Sequence, residues 1–343
     1  MGLDGFRRAL YAGDHNAARE DLLATCAPDA RMHLFTPAGD REGPKAAWEA
    51  IWAPLLAAMP DLERRDHIFV RGGAPSGEWV GSSGQYCGTF RHPFMDIPAT
   101  GQVAHLRFAE FFRIDGGHVV EAHVLWDLPE LMMQAGVWPM GPSLGREMNV
   151  PGPVTQDGLG PHDAARTAAS EALVLSMLDG IQKHEAEGPD AMGLAEHWHP
   201  HFLWYGPSGI GTARGVEGFR RWHQIPFLEA MPDRVGGNGR GALFAEGDYV
   251  AYTGWPGMEM TVTGAGWLGI APAGQRITMR SLDFWRCEDG SIRENWVLID
   301  LIHVWNQLGV DVLARMRQLA SARGIVVGGE PVFPYSEKTH VSR

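Results

Sequence analysis

The sequence predicts an α+β protein in which one domain is written twice. Three observations carry that prediction: an internal repeat at near-constant spacing, a helix–helix–strand order in each copy, and a glycine- and proline-rich stretch between the copies. Gly43-Pro44-Lys45 through Ala58-Met59-Pro60-Asp61 matches Gly215-Val216-Glu217 through Ala230-Met231-Pro232-Asp233 at an offset of 172. Pro28 with Pro200 and Gly39 with Gly211 keep that offset. One inserted residue makes it 173 from Gly101-Gln102 and Gly274-Gln275 onward. Arg113, Glu121, Asp127 and Gln134-Ala135-Gly136-Val137 then recur as Arg286, Glu294, Asp300 and Gln307-Leu308-Gly309-Val310. The period is far longer than that of a solenoid. The implied organisation is a first domain over residues 1–137, a Pro/Gly-rich linker over 138–162, a second domain over 163–324 and a tail over 325–343.

Each copy opens with helical periodicity, over Phe6 to Leu23 and over Ala164 to Glu187. A second helix is expected over Lys45 to Ala58 and again over Val216 to Ala230. Strands follow. Val103 to Ile114 and Val119 to Leu128 flank the turn Asp115-Gly116-Gly117, and Ile277 to Arg286 and Ile292 to Leu301 flank Glu288-Asp289-Gly290. Helices covering one face of a curved antiparallel sheet satisfy this order. Leu128 to Gln134, Leu301 to Gln307 and Asp311 to Arg323 read as short closing helices, the last with Asp311 as N-cap and Gly324 past its end.

Composition narrows the function. At 343 residues, 45% hydrophobic and 20% charged, the chain can build ordinary cores. Twenty-nine basic against 41 acidic residues, a net charge of −12, disfavour nucleic acid as a partner. Cys26, Cys87 and Cys287 lie far apart and read as reduced thiols. No stretch is apolar enough for a membrane span, and Met1 to Arg8 lacks the apolar run of a secretory signal, so a cytoplasmic protein is expected.

Two motifs are discounted on context. Gly141-Pro142-Ser143-Leu144-Gly145 fits G-x-S-x-G, but Pro139, Pro151 and Pro153 deny it the strand and helix a nucleophile elbow needs. Gly236-Gly237-Asn238-Gly239-Arg240-Gly241 lacks a strand-to-helix unit and reads as a turn.

Several segments resemble the SnoaL-like polyketide cyclase family, of the nuclear-transport-factor-2-like fold. They are Pro93-Phe94-Met95-Asp96-Ile97-Pro98-Ala99-Thr100-Gly101, Phe108 to Gly117, Val119-Val120-Glu121-Ala122-His123 with Trp126-Asp127, and Gln134-Ala135-Gly136. Arg286 to Gly290, Glu294-Asn295-Trp296, Asp300 and Gln307-Leu308-Gly309 carry the resemblance in the second copy. It implies two tandem cones, each a curved sheet and helices around an apolar pocket, as in ketosteroid isomerases. It also implies intramolecular aldol cyclisation or isomerisation with no metal or organic cofactor, and a pocket aspartate as acid/base. The same fold hosts non-catalytic binding modules, so a tandem small-molecule-binding or protein-interaction module is the alternative. An apolar or aromatic small molecule is the expected ligand. The two copies are expected to pair within the chain as a pseudo-dimer, with further homo-oligomerisation open.

Asp127 and Asp300 are the candidate acid/bases by position in the family pattern, each at the end of an apolar strand; each equally reads as the N-cap of the following helix. With Gly116-Gly117 at the hairpin tip, Glu110 falls opposite His123, and Asp283 opposite Trp296. A Glu110–His123 pair either tunes the histidine or is a structural ion pair. His123 and His33 are candidate donors to an oxyanion. His105 and Glu110 belong to the first copy's polar set; Tyr205 and Trp296 replace His33 and His123 in the second, and Arg107 and Arg280 either hold an anionic substrate or pair with acidic neighbours. His197, His199 and His201 alternate as metal ligands in a strand would, but read better as a solvated turn, so no metal is assigned.

Overall fold

The computed structural model describes residues 3–182, 192–236 and 241–325. Each copy forms one mixed sheet. In the first, β1 (Cys26–Leu34), β2 (Arg41–Glu42), β3 (Glu63–Ala74), β4 (Gly77–Thr89), β5 (Val103–Asp115) and β6 (His118–Trp126) lie in the order β2-β1-β6-β5-β4-β3. The second holds β7 (Trp198–Tyr205), β8 (Thr212–Arg214), β9 (Val235–Gly236), β10 (Ala242–Glu246), β11 (Tyr249–Thr261), β12 (Arg276–Glu288) and β13 (Ser291–Ile299). Their order is β10-β11-β12-β13-β7-β8, with β9 against β11. The first strand of each copy pairs in parallel with the last, β1 with β6 and β7 with β13, in otherwise antiparallel sheets.

The first expected helix is two. Asp4–Tyr11 and His15–Thr25 are separated at Gly13, whose φ of 73° no helix accommodates, and Asp14 caps the second by accepting from the Ala17 N–H. The second helix of each copy carries a π-helical turn, Trp48–Trp52 in one and Arg220–Gln224 in the other. The cause is legible in the sequence: Pro54 and Pro226 have no N–H to give to the carbonyl four residues back. The residue before each proline instead reaches five residues back, Ala53 to Trp48 and Ile225 to Arg220. The helix expected to Glu187 is seen over Thr167–Gln182, its remainder lying outside the described residues. Residues 237–240 of the glycine-rich turn and 326–343 of the tail lie outside them too.

The β5–β6 hairpin closes on a two-residue loop, Gly116 and Gly117, with φ of 54° and 83°, the geometry of a type I′ turn. One extra residue, Val120, then enters β6. The register shifts between Ile114↔Val119 and Arg113↔Glu121. Beyond this bulge Glu110 faces Val124, and Phe111 faces His123. The expected Glu110–His123 pairing is therefore overturned, because a one-residue slip sends every side chain to the other face. The second copy repeats the bulge between Cys287↔Ile292 and Arg286↔Glu294, so Asp283 faces Val297 instead of Trp296.

One face of each sheet looks into its own copy and the other toward its neighbour. Across the seam Phe111 packs on Phe284 with ring centroids 5.0 Å apart and on Phe244 at 5.8 Å. Residues between the copies bridge both: the Val150 carbonyl accepts from Gln85, and the Pro151 carbonyl accepts from Trp296. Ser143 donates to Glu147, with neither strand nor helix around it. No helix among the described residues is long and apolar enough to cross a membrane.

Candidate functional site

The bulge decides what faces inward. In the first copy the inward row of β5 and β6 holds Leu106, Phe108, Glu110, Ala122, Val124 and Trp126, all buried. This interior is packed solid. Trp52, Tyr86, Phe108 and Trp126 meet ring to ring, with Tyr86 4.8 Å from Phe108 and 5.1 Å from Trp126. Glu110 sits in the middle, 2.6 Å from Arg64, accepting also from Tyr86 at 2.9 Å and Trp126 at 3.0 Å. Against the burial that would favour its neutral form, Asp66 and Glu110 hold Arg64 charged. Every strong donor around Glu110 is thus satisfied, and little room is left for a ligand.

The second copy keeps the frame and loses the filling. At the equivalent positions Gln224 stands for Trp52, Met258 for Tyr86, Ser281 for Phe108 and Ile299 for Trp126. Each lost ring is a large buried area. The result is a partly open cavity of about 150 Å³ with a mainly apolar lining. Met279, Ser281, Asp283 and Trp285 line it from β12, and Asn295, Val297 and Ile299 from β13, every second residue as strand geometry requires.

Asp283 is the counterpart of Glu110, but its cation is gone: Gly236 occupies the register position of Arg64. Burial pushes its carboxyl up to about 7, with hydrogen bonds from Ser281 and Asn295 pulling the other way. On the opposite wall, His223 stacks on Trp204 with centroids 4.0 Å apart and planes 20° apart. Burial pushes its pKa down to about 3, so the ring is neutral at pH 7, and its Nδ1 has no hydrogen-bond partner. A carboxyl that titrates near neutrality and a neutral imidazole thus share one apolar cavity.

None of the ten residues singled out by sequence lines this cavity. Asp127 and Asp300 cap helices, accepting from the Glu130 and His303 N–H groups at 3.3 and 3.1 Å. Asp127 also accepts from Arg107 at 2.7 Å and from the Ser208 N–H of the other copy at 2.9 Å. Arg107 further donates to the Gly206 carbonyl at 2.7 Å. Asp300 accepts from the Thr36 N–H and hydroxyl, each at 3.0 Å, with Arg280 at 3.5 Å. Arg280 lies over the Trp255 ring, 4.8 Å from its centroid. His105 meets Glu130 at 3.4 Å, an interaction that raises the histidine pKa against partial burial. Tyr205 stacks on Trp296 at 5.4 Å and donates to Glu294. His197 ends a helix (Leu194–His197) while His199 and His201 lie in β7, so the three do not share a strand face.

His33 and His123 do come together. They are register partners in β1 and β6, with Glu121 two residues before His123 on the same face. His123 Nε2 lies 3.2 Å and His33 Nε2 3.9 Å from Glu121 Oε1. The His123 bond, with Arg113 and Arg31 nearby, holds the Glu121 pKa down at about 2 despite partial burial; burial lowers that of His123.

Sequence reading missed Asp283, His223, Ser281 and Asn295 as a set. The available signal was an acidic residue in the expected strand Ile277 to Arg286, with Ser281 on its own parity. The bulge hid which strand partner it had.

These features define a tandem α+β protein of the nuclear-transport-factor-2-like type, with one copy solid and the other hollow. The sequence model for SnoaL-like polyketide cyclases matches residues 6–135 and 184–308, more than half of the chain, and the chain belongs to that family. No curated protein matches it. Among solved structures it is similar to IdmH from Streptomyces antibioticus, described as a candidate polyketide cyclase. That match has 26% identity, covers 39% of this chain and 95% of that one, and has a TM-score of 0.33. AclR from Streptomyces galilaeus, described as a candidate hydroxylase, matches with 24% identity over 42% of this chain and 97% of its own, at a TM-score of 0.33. An NTF2-like protein of unknown function from Burkholderia pseudomallei matches with 18% identity, over 37% and 92%, at 0.29.

Proposed function

We propose that the second copy is the working half of the chain, a pocket for the carbonyl-bearing ring of an apolar molecule. Asp283 serves there as acid/base at the carbon beside the carbonyl, and the first copy is its packed scaffold. The observation that carries this reading is the carboxyl of Asp283 in the apolar cavity, with glycine in place of the arginine that pairs Glu110 and with a pKa near 7. A base poised there takes a carbon-bound proton at neutral pH and returns it as an acid. The cavity volume of about 150 Å³ suits one ring, the size of a void that holds benzene, with the rest of the ligand in the opening. Neutral His223 lines the same cavity and offers its ring edge to the ligand. The chemistry is of the polyketide-cyclase or isomerase class. The intramolecular pairing of the copies takes the place of a homodimer.

Exchange of the α-protons of 2-tetralone in heavy water, followed by NMR, tests this reading. Wild-type protein should accelerate exchange, with an apparent pKa near 7, and Asp283→Asn should lose the acceleration. Tetralone binding without exchange would leave the pocket a binding module instead.

A further inference from the structure

We infer that His33, Glu121 and His123 form a site for a divalent transition-metal ion with zinc's ligand preferences, at the seam between the copies. Their ligand atoms all lie within 4.8 Å of one another, although the residues come from two strands. Pairing of β1 with β6 puts the two imidazoles side by side, centroids 5.2 Å apart, and the period of the strand adds Glu121 beneath them.

The surroundings are those of a built site. Both imidazoles turn Nε2 toward the same oxygen, Glu121 Oε1. His123 Nδ1 meets an outer oxygen, 2.6 Å from Thr253 Oγ1 of the second copy, while His33 Nδ1 lies 3.1 Å from Asp40 without a hydrogen bond. An outer partner of this kind orients a metal-binding histidine, and the proton on Nε2 would leave as a metal ion binds. The second carboxylate oxygen, Oε2, is held by Arg31 at 2.7 Å and by Arg113 at 3.0 Å, which fixes Oε1 as the inward ligand. Trp79 and Trp255 wall one side, with centroids 5.3 and 5.2 Å from His123.

Zinc bonds of about 2.0–2.2 Å put neighbouring ligands roughly 3.3 Å apart. The His123–Glu121 distance of 3.2 Å meets that already, and the His33–Glu121 distance of 3.9 Å closes with a small swing of the half-buried His33 ring. Two imidazoles and one carboxylate already shared with arginines select a borderline metal over magnesium or calcium, which require oxygen-rich cages. Three protein ligands leave a fourth position for water.

Metal-stripped full-length protein, titrated calorimetrically with Zn2+ alone and spectroscopically with Co2+, provides the test. We expect one equivalent bound at micromolar concentration or tighter, visible Co2+ bands of low coordination number, and a higher Tm with Zn2+. His33→Ala and Glu121→Gln should each weaken binding by about tenfold to a hundredfold. The double variant His199→Ala/His201→Ala should bind like wild type. No stoichiometric binding by wild type, or binding that survives His33→Ala and is lost in the double variant, overturns the site. Circular dichroism of each variant separates lost ligation from lost folding.

Discussion

Asp127 and Asp300, equivalent by repeat, each reach across the seam to the loop that follows the other copy's first strand. Asp127 accepts from the Ser208 N–H at 2.9 Å and Asp300 from the Thr36 N–H at 3.0 Å, and Ser208 and Thr36 are themselves equivalent. The exchange is reciprocal, like an isologous dimer contact within one chain. It gives both aspartates a docking role in addition to helix capping.

Removing Asp127 should therefore cost stability. Asp127→Ala leaves the buried Arg107 guanidinium without its carboxylate, at about 3–5 kcal/mol. Asp300→Ala loses a cap and the contacts to Thr36 beside the half-buried Arg280, and should cost roughly 1–2 kcal/mol. Urea denaturation measures both. Unchanged stability in Asp127→Ala would contradict the docking role.

Asp283 should make stability fall with rising pH. Its folded pKa of about 7 lies above the unfolded value, so the native state binds more protons between about pH 4 and 7. The contribution is fully present below the unfolded pKa and is lost as pH rises through 7. Asp283→Asn should then be more stable than wild type at pH 8, by about 4 kcal/mol, and close to it at pH 4. The difference between the two denaturation series against pH isolates this group; a flat difference would show that its pKa is ordinary.

Filling the hollow copy as the solid one is filled should separate folding from binding. Ser281→Phe restores the residue found at Phe108 and projects into the cavity. Stability should change by no more than about 1–2 kcal/mol, as gained contacts offset strain. Binding of 2-tetralone should weaken at least about tenfold. Retention of full binding would place the ligand elsewhere.

The Arg64–Glu110 pair, 2.6 Å apart in the first copy, should be costly to break and cheap to replace. Glu110→Leu takes away one of the two carboxylates on a buried guanidinium, leaving Asp66 at 3.0 Å, and should cost about 3 kcal/mol. Arg64→Met/Glu110→Leu should recover most of that loss. A double-mutant cycle by thermal or chemical unfolding reads the difference.

How far the chain could be read beforehand depended on the range of the interaction. Capping, turn chemistry and the proline-driven π turns involve residues within about five of one another, and the sequence displays them directly. Gly116-Gly117 announced the hairpin tip. Its bulge at Val120 did not show, because an inserted residue leaves the apolar pattern of the strand nearly intact while reversing its faces. That single residue separated Glu110 from His123, and the matching extra residue of the second copy, Arg293, gave Asp283 Val297 as its partner.

The sequence by itself determined the duplication, the α+β class, the family and the helix-capping capacity of Asp127 and Asp300, since these rest on local chemistry and on a repeat that survives without coordinates. Tertiary structure alone decided which copy is hollow, where the two aspartates dock and that His33 meets Glu121 and His123. The parallel pairing of β1 with β6 joins residues some ninety positions apart. No local pattern encodes such a contact; it exists only once the sheet has closed.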